Sequence, residues 1–245
     1  MFSFERMLKI WEKYGHMYWN GLGYTLLFAF VSVLMGLVLG LVLASGRMAS
    51  VQSRDNLAVK ALKAVAKFFC TAYVEVFRAT PMLVQVFIIY YGIFSTLFEL
   101  PSIRLFGFIR FERFFPGVVA LAMNSGAYLC EIIRSGIQSI DGGQTEAARS
   151  LGLSQGQNMR FIILPQAIKN ILPAIGNEFV TMVKETAIIQ YLGISDLMYN
   201  NGIVVTATYN PLPCYYISAI IYLALNIILG RGMNIFERRL KKSER

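Results

Sequence analysis

Residues 17–46 read MYWNGLGYTLLFAFVSVLMGLVLGLVLASG, thirty positions without a charged side chain. An apolar run of about 18 residues or more is long enough to cross a bilayer as a helix. Residues 79–98, 114–130 and 197–230 are also free of charge. The chain of 245 residues is 56% hydrophobic and 15% charged, with a mean hydropathy of +0.54. Soluble domains carry about 25% charged residues. This balance excludes a soluble enzyme, a disordered chain and a secreted disulfide scaffold, and it predicts an all-α membrane protein.

Outward from that first run, the predicted spans are 22–46, 79–98, 114–133, 169–190 and 213–232. Within the first, Gly36, Gly40 and Ala44 form a stripe of small residues that lets another helix approach closely. Before it, residues 1–21 form a separate segment in which Phe4, Leu8, Trp11, Tyr14 and Tyr18 recur at helical spacing. That pattern suits either a short helix in the membrane interface, where Trp and Tyr are favoured, or a frayed tail. No early basic region feeds a short apolar run there, so no cleavable signal peptide is expected. In residues 57–100, Lys60, Lys63 and Lys67 mark an amphipathic first part. Pro81 is expected to start or kink the span that follows, because it lacks a backbone donor. The spans and their connections make one transmembrane domain over residues 22–235, followed by a basic tail, 236–245.

Orientation follows from Lys and Arg. Fifteen follow the first, third and fifth spans, against six on the other side. The richer side is cytoplasmic by the positive-inside rule, which puts the N-terminus outside and the C-terminus inside the cell. This placement accounts for most of the net charge of +9 beside membrane lipid, with no nucleic-acid partner. Cys70, Cys130 and Cys214 are far apart and form no CxxC, and His16 is the only histidine. Neither a metal site nor a disulfide framework nor a cofactor is expected. Gly152–Gly156 matches GxSxG, the hydrolase nucleophile motif, but no strand precedes it, and Ser154 is read as a helix cap.

The cytoplasmic loop 135–165 is long enough for structure of its own. Asp141 with Gln144 is read as a capping box, residues 145–151 as a helix, Gly152 as its left-handed stop, and Ser154 with Gln157 as the cap of a second helix. Two alanines beside a carboxylate make a low knob suited to a groove on another protein.

The loop also carries a resemblance. Glu146-Ala147-Ala148, then Gly152, Ile162 and Leu164-Pro165, resemble the EAA motif of the membrane subunits of ABC importers. Phe77-Arg78-Ala79-Thr80-Pro81, Leu83-Val84-Gln85, residues 131–137, Gly143-Gln144 and Lys184-Glu185-Thr186 resemble segments of the polar amino-acid permeases of that family. Ala79 stands where glycine is common and Glu185 where aspartate is common. Together the motifs span about half the chain. The resemblance implies a MetI-like type I importer core of five helices working by alternating access. It also implies partners: ABC ATPase subunits, a second permease subunit (identical or related), an extracytoplasmic solute-binding protein and a polar amino-acid substrate. Glu146, Ala147, Ala148 and Gly152 take the ATPase-docking positions. ATP hydrolysis falls to the partner, since the chain has no GxxxxGKS/T phosphate loop.

Charge at membrane depth marks function by default. Glu178, beside Asn177, is read as facing the substrate pathway, with Thr80, Pro81 and Gln85 as further lining. Glu75 and Arg78, three apart, are read as a structural pair. An ATP-independent transporter or channel is the rival reading, and it is weakened by the absence of an internal repeat.

Overall fold

The computed structural model describes residues 4–49, 55–105 and 109–242. Of the basic residues counted above, Arg54 and Arg245, and the side chains of Lys241 and Lys242, lie outside the described residues. The first element, α1, is a single 44-residue helix, Phe4–Arg47. At 1.5 Å per residue it is roughly 66 Å long, about twice the apolar thickness of a bilayer. No break falls at residue 21, where the sequence reading divides an interfacial segment from a span. The first part is instead held by packing: Met7, Ile10 and Tyr18 form a cluster with Leu197, Val204, Cys214 and Ile217.

The small-residue stripe works as expected. A Cβ built on Gly36 would lie 3.1 Å from the Gly126 nitrogen, and one on Gly40 would lie 2.9 Å from Leu129 Cβ. Both neighbours belong to α5, Phe111–Gln138, so the two helices touch backbone to backbone at the centre of the molecule.

Between them lies the largest departure from the sequence reading. Helix α2, Leu57–Ala79, starts on Asn56, whose side chain accepts from Val59 N at 2.8 Å. It ends at Thr80–Pro81, and the chain turns by 113° into Met82–Leu97. That second arm comprises α3 (Met82–Phe87), a π turn (Ile88–Phe94) and α4 (Ser95–Leu97). Residues 79–98 are therefore not one straight span. The apolar length is shared by two arms meeting at a proline that cannot donate to the preceding turn. A short hairpin follows, β1 (Arg104–Leu105) antiparallel to β2 (Ile109–Arg110).

Beyond α5 the chain forms α6 (Gly142–Ser150) and α7 (Gln155–Asn158). A π turn over Met159–Ile163 then leads into α8, Leu164–Glu185. The wide turn falls just before Pro165, which can offer no N–H to the turn behind it. A 3-10 stretch, Thr186–Leu192, closes at Gly193 in the left-handed region. The uncharged run 197–230 is two helices, α9 (Leu197–Thr208) and α10 (Pro211–Lys242), parted at Tyr209 (φ 51°) and Pro211.

By length and composition α1, α5 and α10 can each cross a membrane, and the bent pair would make a fourth crossing. Helix α8 falls short because it carries Lys169, Glu178, Lys184 and Glu185 along with Gln166, Asn170 and Asn177. It packs on the core through Met182 and Val183, which are fully buried with Phe28, Leu121 and Leu129, while Gln166, Asn170, Asn177 and Lys184 stay exposed. The expected five-helix bundle thus comprises three apolar crossings, one broken pair and one polar helix packed along one side.

Candidate functional site: a coupling face and a polar pathway

On the loop side, α6 is capped by Asp141, whose side chain accepts from Gly143 N at 2.8 Å. The predicted box partner, Gln144, contributes its backbone N–H to the Asp141 carbonyl instead, at 3.1 Å. At the other end Leu153 N bonds Ala148 O at 3.0 Å and Gly152 N bonds Arg149 O at 2.9 Å. These two bonds are the Schellman closure, which needs a left-handed residue, and Gly152 has φ +79°. The second cap forms as predicted: Ser154 and Gln157 exchange side-chain and backbone bonds. Ser154 is thus occupied as a cap. His16 lies roughly 46 Å along α1 from Arg47 at the loop end, so the GxSxG match has no catalytic partner.

The four residues expected to dock an ATPase do not share one face. Glu146, Ala147 and Gly152 are exposed, whereas Ala148 is 1% exposed and seats α6 on its own chain. The place Ala148 vacates in the expected knob is taken by Leu151, 81% exposed and one turn after Ala147. The signal for it was available in the sequence, as the one large apolar residue at the end of a polar helix. The knob is pinned to the next helix by Asn158 Nδ2, which donates to Thr145 Oγ1 at 3.1 Å.

Two of the five residues read as pathway lining, Gln85 and Glu178, meet adjacent positions of α5, Asn124 and Ser125, neither of which stood out in the sequence. Gln85 is buried, and its Nε2 donates to Phe77 O (2.8 Å), Thr80 O (2.9 Å) and Thr80 Oγ1 (2.7 Å). Its Oε1 accepts from Asn124 Nδ2 at 2.7 Å. Gln85 therefore fills the gap in the backbone ladder left by Pro81, a role that non-helical backbone at membrane depth requires of some side chain. Gln85→Leu leaves two carbonyls and the Asn124 amide without this partner. It is expected to cost about 2 kcal/mol, read as a lower unfolding temperature in detergent. An unchanged temperature would mean that water supplies the break. Next to Asn124, Ser125 Oγ donates to Glu178 Oε1 at 2.9 Å. Thr80, Pro81 and Asn177 are exposed.

Arg78 pairs with neither Glu75 nor Glu178. Its Nη1 is 3.6 Å from Glu131 Oε1, and its guanidinium lies over the Tyr128 ring. The same carboxylate takes Arg47 Nη1 from the end of α1, and Arg134 Nε and Nη2 at 3.0 and 2.7 Å. One acid thus binds the loop-side ends of α1, α2 and α5. Sequence spacing revealed only the Glu131–Arg134 pair.

A multi-pass bundle with a capped helix knob at one end and a polar, broken-helix interior is the build of a membrane transport subunit. The family described as binding-protein-dependent transport system inner membrane component matches residues 57–242, and the chain belongs to it. It is 40% identical over 225 residues to the arginine transport system permease protein ArtQ of Bacillus subtilis (strain 168), covering 92% of this chain and 93% of that one. A putative glutamine transport system permease protein, GlnP of Rickettsia typhi (strain ATCC VR-144 / Wilmington), is 38% identical over 88% of this chain and 89% of its own. Among solved structures, an amino acid ABC transporter crystallised "with histidines" superposes with a TM-score of 0.82 at 39% identity, over 98% of this chain and 99% of that one. The inward-facing MetNI methionine ABC transporter, at 19% identity and a TM-score of 0.69 over 98% of this chain and 99% of that one, shares the fold.

Proposed function

We propose that this chain is the permease subunit of an ATP-driven importer that carries a polar amino acid across the cytoplasmic membrane by alternating access. One observation carries the reading. The α6 knob is tied through Thr145–Asn158 to a helical run that continues without interruption from Gln155 to Glu185 and carries Glu178. Ser154 and Glu178 are roughly 36 Å apart along it. A continuous helical run can transmit displacement, so a push on the exposed face of Glu146, Ala147, Leu151 and Gly152 would reach the carboxylate held by Ser125. The amino-acid class is supported by the names of the relatives and by an acidic group that can hold an ammonium.

The partners follow from this reading. An ABC ATPase docks on α6, a second permease subunit completes the pathway, and a solute-binding protein delivers the amino acid from outside. The N-terminus lies outside and the C-terminus in the cytoplasm, on the side with more Lys and Arg.

Purification of the tagged chain from its native cells in mild detergent tests the assembly by which proteins come with it. An ABC ATPase is expected among them, and its absence under several gentle detergents counts against the proposal. For the pathway, Glu178→Gln is expected to lower uptake about tenfold, the worth of one hydrogen bond to a charged group, with expression unchanged. Full uptake of every amino acid the unaltered importer carries would remove Glu178 from the pathway.

A further inference from the structure

Helix α5 has two functional ends. Its C-terminal end leads into the α6 knob. Its N-terminal end borders a cavity of about 340 Å³, lined by Tyr24, Arg110, Arg113, Ser195 and Tyr199 over an apolar floor that includes Phe28 and Phe114. Twenty-eight residues separate the two ends, roughly 42 Å. The cavity is therefore on the face of the membrane opposite the ATPase-docking knob, which in an importer is the side of supply.

Two arginines and no carboxylate line this cavity among the described residues. Two acids adjoin the lining in sequence: Glu112 lines a different depression with Tyr90 and Phe94, and Asp196 is buried as the cap of α9, where it accepts from Tyr199 N at 2.8 Å. The N-terminus of α5 has no side-chain cap, and its first N–H, on Phe111, donates to Ile103 O at 3.0 Å, so the arginines are the main source of positive potential here. Arg113 is already oriented: its Nη1 donates to Gly193 O at 2.8 Å. A Cβ on Gly193 would stand 2.8 Å from that same nitrogen, so a larger residue there would displace the guanidinium. The space suits a group of a few heavy atoms bearing a negative charge, with two tyrosines and a serine for its neutral polar parts.

We propose that this pocket is the outer reception site for the carboxylate of the transported amino acid, anchored by Arg113 and supported by Arg110. The inference rests on the amino-acid reading above. With Nη1 held by the Gly193 carbonyl, the remaining donors of the Arg113 guanidinium are left to meet a ligand carboxylate.

The test uses the complete permease–ATPase complex in nanodiscs, without binding protein. The probes are tritiated L-arginine and L-glutamine, with their carboxamides as competitors. The unaltered complex is expected to prefer free acid over carboxamide by about tenfold or more, the contribution of a charge-assisted hydrogen bond. In Arg113→Gln this preference is expected to fall to near one, in Arg113→Lys to an intermediate value. Arg110→Gln, at an exposed position outside the core, is expected to reduce it in the same sense. The unfolding temperature of each variant separates loss of the site from loss of the fold. An undiminished preference in Arg113→Gln and Arg110→Gln would overturn the proposal. So would a result in which those variants alter only the salt dependence of ATP hydrolysis stimulated by the binding protein, since the pocket would then hold an acidic side chain of that partner. Binding of neither amino acid by the unaltered complex would overturn the amino-acid reading, and the pocket proposal with it.

Discussion

Gly152→Asp is expected to cut ATP-driven uptake by about tenfold or more, a coupling loss of roughly 1.4 kcal/mol, with little change in the stability of the chain. Gly152 sits at φ +79° with no atom near the place a Cβ would occupy. Within the chain, therefore, the only penalty is conformational. Aspartate is among the side chains that tolerate the left-handed region best, so that penalty is about 1 kcal/mol. On the docking face the effect is larger. The new carboxylate adds charge and bulk beside Ala147 and Leu151, on the face proposed to dock the ATPase. Retention of the ATPase on the tagged complex, together with the unfolding temperature of the chain, reads the two effects separately. ATPase retained at full yield with undiminished uptake would mean that the face is not the docking surface.

Glu131→Ala is expected to be the most destabilising single change in the loop-side half of the molecule, at about 2 kcal/mol. Removing one partner of a buried ion pair costs about 3–5 kcal/mol. The value is lower here because the side chains are partly open to solvent: Glu131 17%, Arg47 15%, Arg134 33% and Arg78 45% exposed. Without the carboxylate, three guanidinium groups face one another at the ends of α1, α2 and α5. Replacing Arg47 by Met in the same chain is expected to restore part of the loss, because it relieves that repulsion. The comparison of unfolding temperatures among the single and double variants checks this. Additive losses would show that Glu131 and Arg47 act independently.

Features that depend on neighbours within a few residues were legible in the sequence. Gly152 as the left-handed stop of α6 and Ser154–Gln157 as a capping box follow from backbone chemistry over three or four positions. The same holds for the break at Pro81, which removes a donor wherever it falls. The apolar cores of α1, α5 and α10 follow from composition alone, whereas the continuation of α1 back to Phe4 needs the cluster of Met7, Ile10 and Tyr18 with Leu197 and Cys214.

The rest required the packed molecule. Pro81 fixes where the chain breaks, but the 113° turn depends on Gln85 reaching back to Phe77 and Thr80 with Asn124 behind it. Ala147 and Ala148 are chemically identical, and only the seat of α6 on its own chain decides that one is exposed and the other buried. Arg78 has an acid at helical spacing in Glu75 and yet turns to Glu131, 53 residues away in sequence. Glu75 is exposed, whereas Glu131 lies where the ends of α1, α2 and α5 meet, and the Tyr128 ring offers its face to the same guanidinium. Local geometry is encoded in the order of residues. Which polar group meets which is decided by helix contacts across the chain, and those contacts exist only after the bundle has closed.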